Sequence, residues 1–266
     1  RPDSGYALPV LDAAGKRVAE VGHGNRKDIR NAVEAAHKAA DGWSKATAHA
    51  RAQIIFFLAE NLAVRESEFT VRLCALCGCA PDLAAREVGA AIQRAFSYAA
   101  WADKYDGRVH ATPYRNVTLA MNEPVGVLGL VAPTEAPLLG FLSLVLPTVA
   151  MGNTVVAVPS ERWPLLATDL YQVFDTSDVP GGVINIVTGP RKDLAPVLAA
   201  HDDVDGIWFY GPRDEAAAVE KLSAGNMKRT HVAWDPVDWL DLRHGEGEEF
   251  LREATQVKNI WVPYGA

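Results

Sequence analysis

Apolar positions along the chain follow two periods, and the change from one to the other divides it. From 28 to 40, Ile29, Val33, Ala36 and Ala40 recur at spacings of four, three and four, one stripe of an amphipathic helix. Ile54, Ile55, Leu58 and Leu62 repeat that stripe over 51–64, and Phe69, Leu73 and Leu76 over 66–77. Pro81 suits the first turn of another helix, and Gly107, after Tyr105, predicts its stop. Beyond 125 the apolar residues gather into short, nearly continuous runs at 125–131, 154–158, 183–187, 206–209 and 230–234. Helical stretches at 137–151, 164–174, 192–200 and 213–224 lie between them. That alternation predicts an α/β fold with a doubly wound parallel sheet, covered by helices on both faces.

Two strand-like segments, 110–122 and 255–262, fall outside the alternation. Gly245, Gly247 and the acids Glu246, Glu248 and Glu249 precede the second and read as a solvated turn into a short helix. Appended strands expose unpaired edges, so a partner subunit or neighbouring domain is expected to cover them.

Composition narrows the classes. A net charge of −7 leaves no basic surplus for nucleic acid. The most apolar stretch, 138–149, is too short to span a membrane and reads as a buried helix. Residues 1–5 contain no apolar signal core, and the missing initiator Met points to a processed product or part of a longer polypeptide. Cys74, Cys77 and Cys79, odd in number and clustered, suit a reducing compartment, so a cytoplasmic location is expected.

Several fragments occur in a telling order: Ala100-Trp101-Ala102-Asp103-Lys104, Glu123-Pro124-Val125-Gly126-Val127, Gly152-Asn153-Thr154-Val155-Val156, the 180–189 stretch, and Ala224-Gly225-Asn226-Met227-Lys228-Arg229. Together they resemble the aldehyde dehydrogenase superfamily, most of all the noncatalytic second half of the two-half family-sixteen enzymes. The resemblance implies a nucleotide-binding domain over 1–253, with N-terminal helices at 26–107 and a Rossmann-like sheet at 125–235. It also implies a small β oligomerisation element from 108–123 and 254–266, with the catalytic domain absent.

The same resemblance identifies positions that have lost their chemistry. Glu135, in Pro133-Thr134-Glu135-Ala136-Pro137, stands where the family places an asparagine amide against the developing oxyanion, and a carboxylate there repels that charge. Read without the family, the stretch is a proline-bounded turn with a solvated tip. Ala233 stands where the family has its general-base glutamate, and it holds no proton acceptor. Asp235, two residues on, is expected on the same strand face. No cysteine follows Cys79 to match the family's nucleophile, and residues 253–262 resemble the final oligomerisation strand. The three cysteines read best as small core residues on the third helix, with a reactive thiol or a zinc site as the sharper alternatives. The acids around His201-Asp202-Asp203 read as a turn.

Cofactor positions are eroded too. Val158 replaces a ribose-binding lysine, while Glu161 matches the ribose glutamate or is a plain loop acid. Gly211 is retained from the pyrophosphate turn, whereas Pro212 deletes an N–H and Ala216 replaces a glycine. Asp214 and Glu215 put negative charge at the helix start, offset in part by Arg213. The expectation is a pseudoenzyme domain of structural and assembly role that binds no cofactor itself. NAD would belong to an active aldehyde dehydrogenase half in the same polypeptide, with homodimers or higher oligomers formed through edge strands. An NAD-binding regulatory module is the alternative reading.

Overall fold

The computed structural model describes residues 5–264; residues 1–4 and 265–266, at the two ends of the expected domain and of its last strand, lie outside the described residues. The chain begins with an antiparallel hairpin, β1 (Ala7–Leu11) and β2 (Arg17–Gly22), which apolar periodicity did not predict. Its signal is turn chemistry: Asp12 Oδ1 accepts from the amides of Ala14 and Lys16, both at 2.9 Å, and Gly15 takes φ +79°.

Four helices follow: α1 (Arg26–Lys45), α2 (Ala48–Val64), α3 (Glu66–Cys77) and α4 (Pro81–Trp101). Asn25 and Asp28 cap α1 reciprocally, so its start is fixed by side chains as well as by its buried stripe. Helix α4 ends six residues short of Gly107. That glycine serves a close approach instead, since a Cβ there would lie 2.2 Å from the Ala120 carbonyl oxygen.

The strand expected at 110–122 is divided. β3 (Arg108–His110) turns through Thr112 and Pro113 into β4 (Asn116–Pro124), because proline supplies no ladder N–H. The parallel sheet then builds as expected through β5 (Val127–Val131), α5 (Leu139–Ala150), β6 (Thr154–Val158), α6 (Leu165–Thr176) and β7 (Ile184–Ile186). It continues through α7 (Arg191–Ala199), β8 (Gly206–Tyr210), α8 (Arg213–Ser223) and β9 (Arg229–Ala233). Strand order is β7-β6-β5-β8-β9, all parallel, with the winding direction reversing between β5 and β8. Every residue of β5, β6 and β8 is buried, as a sheet covered on both faces requires. No helix among the described residues is long and apolar enough to cross a membrane.

After β9, two short helices, α9 (Leu242–Gly245) and α10 (Glu248–Glu253), lead into β10 (Thr255–Pro263). The turn expected to be solvated is so only in part: Glu248 and Glu249 are exposed and open α10, but Gly245 is buried against the Arg94 guanidinium. β10 pairs with β4 along its whole length, giving a second sheet ordered β10-β4-β3. The appended strands thus cover each other first, without needing another chain for that pairing. Alternation places Val109, Val117, Leu119, Met121, Ile260 and Val262 on one face of this sheet, and Val109, Met121 and Val262 are exposed there.

Candidate functional site

A parallel sheet of this winding opens a crevice beyond its carboxyl ends, where β5 and β8 diverge. A cleft of about 430 Å³ lies there, walled by the turn after β5, the start of α8 and the segment after β9. It brings together Glu135, Gly211, Pro212, Ala233 and Asp235, which are distant in sequence, and adds Arg191.

Glu135 is exposed in the turn between β5 and α5. The amides of Leu138 and Leu139, at the start of α5, both donate to Glu87 Oε1 of α4, at 3.0 and 3.2 Å. Burial pushes the Glu87 carboxyl above its ordinary range, against the pull of those two amides. Glu87 was not singled out from sequence; it lies beside the buried Ala84–Val88 stripe of α4, and only the packing shows its target.

Ala233 is the last residue of β9, and its carbonyl accepts from the Gly211 amide at 3.2 Å. Asp235 lies beyond the strand and is exposed, so it does not share a strand face with Ala233. Val158 ends β6 with its side chain fully buried in the core. Ala216 is buried in the second turn of α8, and Pro212 precedes that helix without a side-chain cap. Glu161 is exposed, and its carboxylate accepts from the Arg191 amide at the start of α7 at 3.1 Å. Arg213 lies over the Trp234 ring at 5.7 Å.

Comparison with known families decides the lineage: residues 3–234 match the aldehyde dehydrogenase family. The chain belongs to the aldehyde dehydrogenase family. It is 31% identical over 231 residues to a hydroxyisobutyraldehyde dehydrogenase of Mycolicibacterium austroafricanum, covering 86% of this chain and 46% of that protein. To the mitochondrial benzaldehyde dehydrogenase of Antirrhinum majus it is 34% identical, covering 85% and 43%. Among solved structures, a putative aldehyde dehydrogenase from Burkholderia cenocepacia superimposes with a TM-score of 0.84 at 27% identity, covering 88% and 49%. A betaine aldehyde dehydrogenase of Staphylococcus aureus, in complex with NAD+, gives 0.84 at 22% identity, covering 88% and 47%, a likeness of fold alone. The chain spans about half the length of the curated relatives it matches.

Within this aldehyde dehydrogenase fold the three cysteines stay outside the cleft. Cys74 and Cys77 close α3, while Cys79 lies past the helix end, where Gly78 takes φ +68°. All three are free, partly buried and packed against the main core. Burial, then the Glu87 charge, pushes the Cys77 thiol up to about 12, and burial also raises Cys79. A nucleophilic cysteine needs the opposite shift. No group of three or more His, Cys, Asp or Glu side chains is gathered as a metal site among the described residues. Near His201, Asp205 instead fixes strand register by accepting from the Val127 amide at 2.8 Å.

Two residues before Ala233 on β9, His231 Nε2 is hydrogen-bonded to the Tyr210 hydroxyl at 3.0 Å, with Trp208 and Phe250 against the imidazole. Burial holds the His231 pKa below its ordinary value, outweighing the opposing pull of Glu253 and Glu249. The unfolded chain therefore takes up this proton first as pH falls. The His231 contribution to stability is complete above about pH 6.5. It is lost as pH falls from there through the lower folded-state pKa. His231→Gln is expected to flatten this acid limb in a plot of Tm against pH; an unaltered limb would assign it to other groups.

Proposed function

We propose that this chain is a noncatalytic aldehyde dehydrogenase domain, the accessory half of a two-half enzyme of family-sixteen type. In this reading it supplies structure and assembly surface, while the other half holds NAD and oxidises aldehydes to acids. The observation that carries it is the cleft: Ala233 and Glu135 line it where the family resemblance calls for a proton acceptor and an amide donor. General-base catalysis contributes roughly 10²- to 10⁴-fold, and a methyl group contributes none of it. The segment between β9 and β10 contains no cysteine and is only long enough for α9 and α10. The retained features that would favour NAD, Glu161 and Gly211, are engaged in packing and hydrogen bonds of the fold itself.

The exposed apolar face of the β10-β4-β3 sheet supports the assembly role, toward the active half and a second copy of the chain. Partly buried free thiols fit a cytoplasmic setting.

Given NAD and an aldehyde, the purified chain is expected to form no NADH above the uncatalysed rate, and to show no saturable NAD binding at micromolar concentrations. Placing aspartate at both Val109 and Val262 is expected to lower the oligomeric mass measured by light scattering. Sustained NADH formation by contaminant-free protein would overturn the noncatalytic reading, and an unchanged mass the assembly role.

A further inference from the structure

An ion pair at the edge of the carboxyl-end cleft joins the starts of two helices. Arg191, first residue of α7, reaches across to α8, where its Nε donates to Glu215 Oε2 at 2.7 Å. The two side chains are only 15% and 29% exposed, so the pair is more sheltered than an ordinary surface bridge. Glu161 holds the Arg191 backbone amide from the other side. Gly211 makes the room: a Cβ there would lie 2.8 Å from the Phe209 ring and 3.2 Å from Arg191 Nε. Arg191, the guanidinium that lines the cleft, is therefore already engaged by a carboxylate of the chain itself.

We propose that the Arg191–Glu215 pair is a latch that masks an anion site, in which Glu215 occupies the guanidinium that would otherwise receive an anionic group entering the cleft. Phosphate-bearing ligands are shut out by competition as well as by the missing N–H of Pro212. The latch also gives Gly211 a role that requires no bound nucleotide. It rests on the noncatalytic reading of the same cleft and adds the contact that keeps the cleft's guanidinium occupied.

Inorganic pyrophosphate is the probe, titrated calorimetrically into the whole chain and into Glu215→Ala, Glu215→Gln and the double variant Arg191→Ala/Glu215→Ala. Both single variants are expected to bind pyrophosphate about ten-fold or more tighter than the parent, the scale of one charge-assisted hydrogen bond. The double variant is expected to lose that gain, and thermal unfolding of each protein confirms that it is folded. Single variants that bind no better than the parent overturn the latch. A gain that persists in the double variant overturns it as well, because relief of carboxylate repulsion would then be the cause. Single variants that bind no better, while the unaltered chain still forms no NADH, defeat the latch and leave the noncatalytic reading standing, so the two failures are separable.

Discussion

Replacing Arg94 by alanine is expected to cost about 3–5 kcal/mol of folding stability, the usual penalty for removing one member of a buried charged network. Its side chain is 1% exposed. Nη1 donates to Ser143 Oγ at 2.6 Å, Nη2 donates to the Trp239 carbonyl at 3.0 Å, and Nε lies 3.8 Å from Glu246 Oε2. Tyr98, one turn further along α4, donates its hydroxyl to the Gly245 carbonyl at 3.2 Å. The two residues tie the segment after β9 onto α4, and α10 follows from there.

The predicted loss is the cost of truncation, not the net worth of the pair. Burial lowers the Arg94 pKa, and its Nε has no hydrogen-bond partner, so part of the attraction only offsets desolvation. Gly245→Ala tests the same contact from the other side, since its Cβ would lie 2.0 Å from Arg94 Nη1. Urea unfolding gives both values. A change below about 1 kcal/mol in both variants would show that the segment is held by Trp239 and Phe250 packing alone.

How far the sequence anticipates this architecture depends on the range of the interaction. The strands at 154–158 and 206–209 are continuous apolar runs, and β6 and β8 form there because burial on both faces leaves no polar alternation. The β1–β2 hairpin is short and mostly exposed, so its apolar signal is too weak to read. Gly107 looks like a helix stop because a glycine has the same appearance whether it ends a helix or admits a neighbouring backbone. In the cleft, resemblance locates Glu135, Ala233 and Gly211 because each occupies a place in an ordered motif. It says nothing of Arg191 meeting Glu215, or of Glu87 meeting the start of α5. Those partners depend on how α7 faces α8 and how α4 faces α5, which no local spacing encodes.

Asn153 presents the sharpest test of motif against architecture. It lies in a stretch by which the family is recognised, yet its side chain is fully buried and every hydrogen bond it makes serves the fold. Oδ1 accepts from the Gly126 amide at 2.9 Å, at the entrance to β5. Nδ2 donates to the Thr148 carbonyl at 2.9 Å and to the Ala254 carbonyl at 2.8 Å, immediately before β10. One amide thus joins the parallel sheet, the end of α5 and the root of β10. Asn153→Ala strands the Gly126 N–H and the Ala254 carbonyl, while the Thr148 carbonyl keeps the Asn153 backbone amide at 3.1 Å; at about 1–3 kcal/mol for each unsatisfied buried group, a loss of about 2–6 kcal/mol is expected. Asn153→Asp discriminates further, because it preserves shape while turning a donor into an acceptor that faces two carbonyl oxygens. If Asn153 only filled space, the aspartate would be the milder change. If it is the junction described, the aspartate is at least as damaging as alanine, and hydrogen exchange rises first in β10, whose anchor it removes.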